Sequence, residues 1–176
     1  MITFIETKLI LNFIRFCKER LQKKVDSGDE DIEVKLLLSL AFEGEGRLFA
    51  GQEMLQQARL SYEKALALSE KAGDTEVRLS SLLGYLGVIS AMQNETTVAQ
   101  SYLERALVLA RKNDLDNLSS ILVNLGVLKI QSGALSEARN NCKEAFNLSH
   151  KIGDKGTEDE AVQCLDELNK FMKSMK

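Results

Sequence analysis

A triplet of small residues recurs three times in this sequence: a glycine, an alanine twelve residues later, and a second alanine seven residues after that. The copies are Gly46/Ala58/Ala65, Gly87/Ala99/Ala106 and Gly126/Ala138/Ala145. Seven residues are about two helical turns, so both alanines of a copy share a helix face. A glycine inside a helix costs about 1 kcal/mol relative to alanine, and its recurrence indicates that two helix backbones come close there. Because the period is about 40 residues, the triplets predict stacked helical hairpins.

The rest of the chain favours helices throughout. The 176 residues include no proline, and glycine is confined mostly to a few points, so helix breakers are rare. Polar clusters that suit helix ends separate the hairpins, and shorter turns near Gly51, Asn94 and Gly133 lie inside them. We therefore predict an all-α fold, a superhelix of antiparallel helix hairpins. It divides into an N-terminal helix over 1–25 that ends a preceding repeat, three helix pairs over 32–157 and a capping helix over 158–176.

Charge and motifs exclude several functions. A formal net charge of −3 gives no electrostatic basis for binding nucleic acid. His150 is the only histidine, and the sequence has no phosphate-binding glycine loop, no H-E-x-x-H motif and no nucleophile elbow. We therefore predict no catalytic residue, no metal site and no cofactor. Cys17, Cys142 and Cys164 are odd in number and lack metal-type spacing, so we expect free thiols in helices rather than a disulfide framework.

Apolar residues crowd the first 24 positions of the chain. Glu6, Lys8, Asn12 and Arg15 interrupt them, so no run of about 20 apolar residues is available to span a bilayer. The pattern predicts a packed amphipathic helix, with a helix lying on a membrane surface as the alternative. A further possibility is a homo-oligomer formed through the apolar face of residues 2–17.

The triplet, with Tyr62 between its two alanines in the first copy, resembles the skeleton of the tetratricopeptide repeat over residues 36–151. In that family the first helix of each hairpin lines a concave groove that binds partners. The resemblance implies that the partner-binding residues are Arg47, Tyr85, Val88, Met92, Val123, Asn124, Val127 and Gln131. Repeats that hold the acidic tails of chaperones use Lys, Asn and Arg as a clamp, and only Asn124 matches that pattern. An amphipathic helix or an apolar extended peptide suits this groove better.

The order of several segments gives a closer resemblance. Ala58-Arg59, Tyr62-Glu63-Lys64-Ala65-Leu66, Leu109-Ala110-Arg111 and Leu122-Val123-Asn124-Leu125 follow one another as in the C-terminal part of the tetratricopeptide repeat protein 19 family. That family is associated with the mitochondrial inner membrane and supports the assembly and maintenance of respiratory complex III. The resemblance implies a non-enzymatic factor whose partners are complex III subunits such as the Rieske protein. The alternative is a cytoplasmic adaptor that binds an apolar or amphipathic peptide, a role similar to that of kinesin light chains.

Overall fold

The computed structural model describes residues 4–28, 31–113 and 115–174 and, within them, eight α-helices. They are α1 (Phe4–Asp26), α2 (Ile32–Gly51), α3 (Leu55–Ala72), α4 (Glu76–Met92), α5 (Thr96–Asn113), α6 (Leu115–Gln131), α7 (Leu135–Ile152) and α8 (Lys155–Ser174). The all-α fold predicted from the sequence is confirmed. The first three residues of the expected N-terminal helix and the last two of the expected capping helix lie outside the described residues. No described helix combines the length and the apolar composition that crossing a bilayer requires.

The helices pair in chain order. Helices α2 and α3, α4 and α5, and α6 and α7 form three hairpins, each of which packs against the next, and α1 packs on α2 while α8 packs on α6 and α7. We call α2, α4, α6 and α8 the A helices and α1, α3, α5 and α7 the B helices. Within the A helices, α4 contacts α6 and α6 contacts α8. The result is a helix-hairpin solenoid in which α1 and α8 lie at the two ends.

The tight turn inside each hairpin has the same geometry in all three copies. Glu53, Asn94 and Gly133, each seven residues after the glycine of its triplet, have positive φ angles of 59°, 62° and 78°. Glycine and asparagine tolerate this left-handed conformation, whereas a glutamate side chain makes it costly. The residue type therefore favours the left-handed conformation at Asn94 and Gly133 and disfavours it at Glu53.

The triplet glycines lie where the two helices of a hairpin meet. A Cβ atom added to Gly46 would stand 3.0 Å from the Tyr62 ring, and one added to Gly87 would stand 2.5 Å from Leu103 Cγ. One added to Gly126 would stand 2.5 Å from the sulfur of the cysteine at position 142. Each glycine thus clears space for one larger side chain of the B helix.

The alanines of the triplets lie on the B helices, on either side of that larger side chain. All six are fully buried: Ala58, Ala65, Ala99, Ala106, Ala138 and Ala145. With no side-chain surface exposed, they are packing positions that a partner protein cannot reach. Their contribution to binding is therefore limited to setting the distance between the two helices of each hairpin.

Helix α8 covers the last hairpin. It begins at Lys155, earlier than the expected boundary at 158, because the Asp154 carboxylate accepts hydrogen bonds from the Thr157 amide and hydroxyl. These bonds hold the pKa of Asp154 below its usual range. The buried stripe of α8 consists of Thr157, Ala161, Cys164 and Leu168.

The expectation of free thiols is wrong for two of the three cysteines. Cys142 on α7 and Cys164 on α8 form a disulfide with a Cα–Cα distance of 6.0 Å, and both are almost fully buried. Cys142 occupies the position between Ala138 and Ala145 of the third triplet, and α8 packs against it there. The separation of 22 residues matches no cysteine motif, so only the packing of α8 brings the two together. Cys17 is free, as expected.

Candidate partner-binding site

A cavity of about 270 Å³ opens between α4 and α6. It brings together five of the eight partner-binding residues predicted from the sequence, Val88 and Met92 on α4 and Asn124, Val127 and Gln131 on α6. Ala91, Leu103 and Leu128 complete its lining. We call this cavity the α4–α6 groove. The repeat explains why these residues meet. Residues near Gly87 on α4 and near Gly126 on α6 occupy similar positions in their repeats, and the two helices lie side by side.

The α4–α6 groove has an apolar floor and a polar edge. Val88 and Val127 are half-buried and supply the floor, whereas Met92 is 51% exposed and stands at the mouth. Asn124 Nδ2 donates to the Ser120 carbonyl at 3.0 Å, which fixes the carboxamide one turn along its own helix. Gln131 is exposed. Such a surface can bury an apolar side chain of a partner and offers no cationic group for an acidic tail.

The other three predicted residues lie outside this cavity lining. Arg47 is exposed on α2. Tyr85 is half-buried and stacks on Tyr62, with ring centroids 5.1 Å apart. Val123 is only 6% exposed and belongs to the hydrophobic core, so little of its side chain is available to a partner. Burial raises the pKa of the Tyr62 phenol.

An ionic cluster around Arg78, at the junction of α2, α3 and α4, was not predicted from the sequence. The Arg78 guanidinium on α4 pairs with Glu43 on α2 at 3.1 Å and with Asp74 at 2.7 Å. It also donates to the hydroxyls of Ser39 and Ser69, at 3.2 and 3.4 Å. Ser39 and Ser69 are fully buried, so this cluster joins the first two hairpins. The spacing of Asp74 and Arg78, one helical turn apart, was the available signal.

Chemical groups suited to catalysis are sparse in the described part of the chain. No three His, Cys, Asp or Glu side chains there are grouped so that they could hold a metal ion. His150 is 66% exposed, with its Nδ1 atom 3.3 Å from Glu158. Hydrogen bonds from Lys155 and from His150 lower the pKa of Glu158. This group therefore forms a surface ion pair at the junction of α7 and α8.

One curated relative matches the chain in sequence. It is tetratricopeptide repeat protein 19, mitochondrial, of Homo sapiens, which is 26% identical over 142 residues. The match covers 74% of this chain and 37% of the relative, so the chain spans well under half of that protein's length. No family model matches the chain.

Solved structures match the chain over most of its length. BtubC from P. vanneervenii gives a TM-score of 0.63 at 18% identity and covers 97% of this chain and 83% of its own. The kinesin light chain of P. anserina with nearly identical TPR-like repeats gives 0.58 at 12% identity, with 94% and 98% covered. A TPR protein of Thermus thermophilus gives 0.51 at 20% identity, with 91% and 78% covered. The chain therefore has the tetratricopeptide repeat fold and, in sequence, resembles tetratricopeptide repeat protein 19.

Proposed function

We propose that the chain is a non-enzymatic scaffold that binds protein subunits of respiratory complex III in the mitochondrion and supports their assembly or maintenance. The observation that carries this proposal is the similarity to the mitochondrial relative, which extends over 142 residues and therefore across most of the repeats. The partners that the resemblance implies include the Rieske protein. The relative is matched over only part of its length, so the proposal concerns the portion of such a factor that binds proteins.

The α4–α6 groove is the surface through which we propose that the scaffold binds. Its volume of about 270 Å³ lies below the range of roughly 300–1,000 Å³ that is usual for small-molecule pockets. A cavity of this size suits one anchoring apolar side chain of a protein partner, with the surrounding A helices supplying the rest of the interface. Met92 and Gln131, both exposed, would then contact the partner at the rim.

Co-purification from mitochondria tests the proposal. Tagged full-length protein is captured after mild solubilisation, and recovery of complex III subunits is measured for the wild type, Met92→Glu and Val108→Glu. Met92 lines the groove, whereas Val108 is 63% exposed on α5 and lies outside it. We expect at least a roughly tenfold loss of recovery for Met92→Glu, because a charge in the apolar contact would remain unpaired, and no change for Val108→Glu.

Two results would count against this function in different ways. A full-length protein found entirely in the cytosol would contradict the mitochondrial role itself. Equal recovery of complex III subunits with Met92→Glu and Val108→Glu would leave that role in place and exclude the α4–α6 groove as its binding surface.

A cytoplasmic adaptor is the second candidate, and the apolar floor of the groove favours it. Val88 and Val127 match an apolar or amphipathic peptide that any partner protein can present. Substitution of Tyr85→Ala together with Val127→Glu should abolish peptide capture, but Tyr85→Ala also removes the ring that stacks on Tyr62. Val127→Glu alone is therefore the cleaner test. Capture of cytosolic proteins that Val127→Glu abolishes, with no complex III subunit among them, would favour the adaptor.

A further inference from the structure

An apolar groove of about 870 Å³ separates α1 from the start of α2. We call it the α1–α2 groove. The large apolar residues that line it are strongly exposed: Phe13 is 68%, Phe16 55%, Leu37 45% and Leu40 49% exposed. Ile14, Cys17, Leu21 and Ala41 form the rest of its apolar lining, and Arg20, Lys23 and Lys24 lie along one edge.

The repeat shows what kind of element fits this groove. A left-handed glycine lies just after each of α1 and α3, Gly28 with φ of 86° and Gly73 with φ of 65°, and we align the two B helices on these glycines. The matching residues are Phe13 with Ala58, Phe16 with Ser61, Cys17 with Tyr62 and Arg20 with Ala65. On α3 this face is at most 4% exposed, because α2 packs against it. The α1–α2 groove is therefore the place in which a helix would lie if α1 were packed as α3 is.

The second wall of the groove supports the same comparison. Aligned on Gly46 and Gly87, Leu37 of α2 corresponds to Arg78 of α4. Arg78 is directed toward the preceding A helix, since it pairs with Glu43 of α2 at 3.1 Å. In this case the preceding A helix thus brings an acidic residue to the cation.

The three cations at the edge of the α1–α2 groove have no acidic partner in the described part of the chain. In the described part of the chain, Arg20, Lys23 and Lys24 make no ion pair, although Lys18 on the same helix pairs with Glu45 of α2. The Arg20 guanidinium lies 5.5 Å from the centre of the Phe16 ring. Three unpaired cations beside an apolar floor are complementary to a helix that carries an apolar stripe with acidic residues along one side.

We propose that the α1–α2 groove binds an amphipathic helix of a partner protein, with large apolar residues on one face and Asp or Glu beside them. The apolar stripe would cover Phe13, Phe16 and Leu40, and the carboxylates would pair with Lys23 and Lys24. This site differs from the α4–α6 groove, and the proposal does not depend on the role in complex III.

A second copy of this chain fits the groove poorly. Helix α2 of another copy would bring Gly46 against Cys17, where two small residues leave a gap, and would meet Phe13 where α3 has Ala58. The outer side of α8 exposes Val162, Phe171 and Met172. The exposed residues between Val162 and Phe171 are all charged or polar, so this side of α8 has no continuous apolar stripe to lay in the groove: Gln163, Asp166, Glu167, Asn169 and Lys170. The sizes of the facing residues on α2 and the interrupted apolar surface of α8 therefore favour a different protein as the occupant.

Peptide binding measured by fluorescence polarisation tests the proposal on the full chain. One labelled probe is a helical peptide of about 20 residues with leucines along one face and glutamates beside them, and the second has lysine in place of each glutamate. The chain variants are Phe16→Asp and Lys23→Glu/Lys24→Glu. Leu60→Asp is the matched control, because Leu60 is 47% exposed on α3 and lies outside the groove.

We expect the acidic peptide to bind the wild type and Leu60→Asp equally, and to bind Phe16→Asp at least tenfold more weakly. Lys23→Glu/Lys24→Glu should reverse the preference, so that the lysine peptide binds it better than the acidic one. Equal binding of the two peptides to the wild type would overturn the proposed partner chemistry. Sedimentation showing a wild-type dimer that Phe16→Asp dissociates would also overturn it, because a second copy would then occupy the groove.

Discussion

Gly87→Ala tests whether the triplet glycines are present because two helices need to come close. The new Cβ atom would lie 2.5 Å from Leu103 Cγ, 2.8 Å from Leu103 Cδ2 and 3.4 Å from the Ala99 carbonyl oxygen. Leu103 is fully buried and the Ala99 atom belongs to the backbone, so the two helices would have to move apart. Overpacking of this kind typically costs about 1–3 kcal/mol.

The same helix offers a matched control in Gly84→Ala. Only Ile121 Cγ1, at 3.9 Å, lies near the Cβ position of residue 84, so the substitution meets no obstacle. It should therefore show the gain in helix propensity alone, which is about 1 kcal/mol. Gly87→Ala receives the same gain but also carries the overpacking cost. We expect the free energy of unfolding of Gly87→Ala to be about 1–3 kcal/mol lower than that of Gly84→Ala.

Thermal and urea unfolding followed by circular dichroism measure this difference. For a chain of this size, each kcal/mol corresponds to roughly 2–4 °C in melting temperature, so the two variants should be clearly separated. In a Leu103→Ala background, which removes the Leu103 Cγ and Cδ2 atoms, Gly87→Ala should be less destabilising than in the wild type. If Gly87→Ala raises the melting temperature as much as Gly84→Ala does, close helix approach does not explain the glycines of the triplet.

Three further predictions concern single features of the solenoid. Arg78→Leu leaves the carboxylate of Asp74, whose side chain is 8% exposed, without its cation. It should lower the free energy of unfolding, measured by urea titration, by about 2–3 kcal/mol. A loss below about 0.5 kcal/mol would contradict a stabilising role of this cluster. Glu53→Asn relieves a left-handed glutamate and should raise the melting temperature through a gain of about 0.5–1 kcal/mol, whereas a decrease would show that the turn is not strained. Reduction with dithiothreitol should destabilise the wild type by about 3 kcal/mol and leave Cys142→Ala/Cys164→Ala unaffected; an equal response of both proteins would show that this disulfide contributes nothing.

The hairpins were predictable because their signal is local and repeated. Each triplet fixes contacts between two helices that follow one another along the chain, and three copies exclude a chance pattern. The α4–α6 groove followed from the same register, since residues after Gly87 and Gly126 fall on neighbouring A helices. Val123 was predicted to line the groove as well, but it is only 6% exposed. It lies on α6 with Asn124, but a rotation of one residue, about 100°, turns its side chain into the core.

Contacts between separate hairpins left almost no trace in the sequence. The Cys142–Cys164 disulfide depends on where α8 packs against α7. The pair of Arg78 with Glu43 depends on how the second hairpin packs on the first. Neither has a spacing that recurs, because each contact is made once and the repeat period describes only what all copies share. Interactions that occur at a single junction therefore need the structure.

The difference between positions that the repeat keeps constant and positions that vary indicates which surfaces of this chain can be specific for a partner. Inside each hairpin, the triplet keeps three packing positions small, one glycine and two alanines, and these buried positions cannot contact a partner. On α1 the positions aligned with Ala58 and Ala65 carry Phe13 and Arg20, residues that would prevent the close packing seen at α3. Large and charged residues at positions that elsewhere require small ones are unfavourable for an ordinary repeat contact. Their presence is expected if the α1–α2 groove is shaped for a helix that differs from α2.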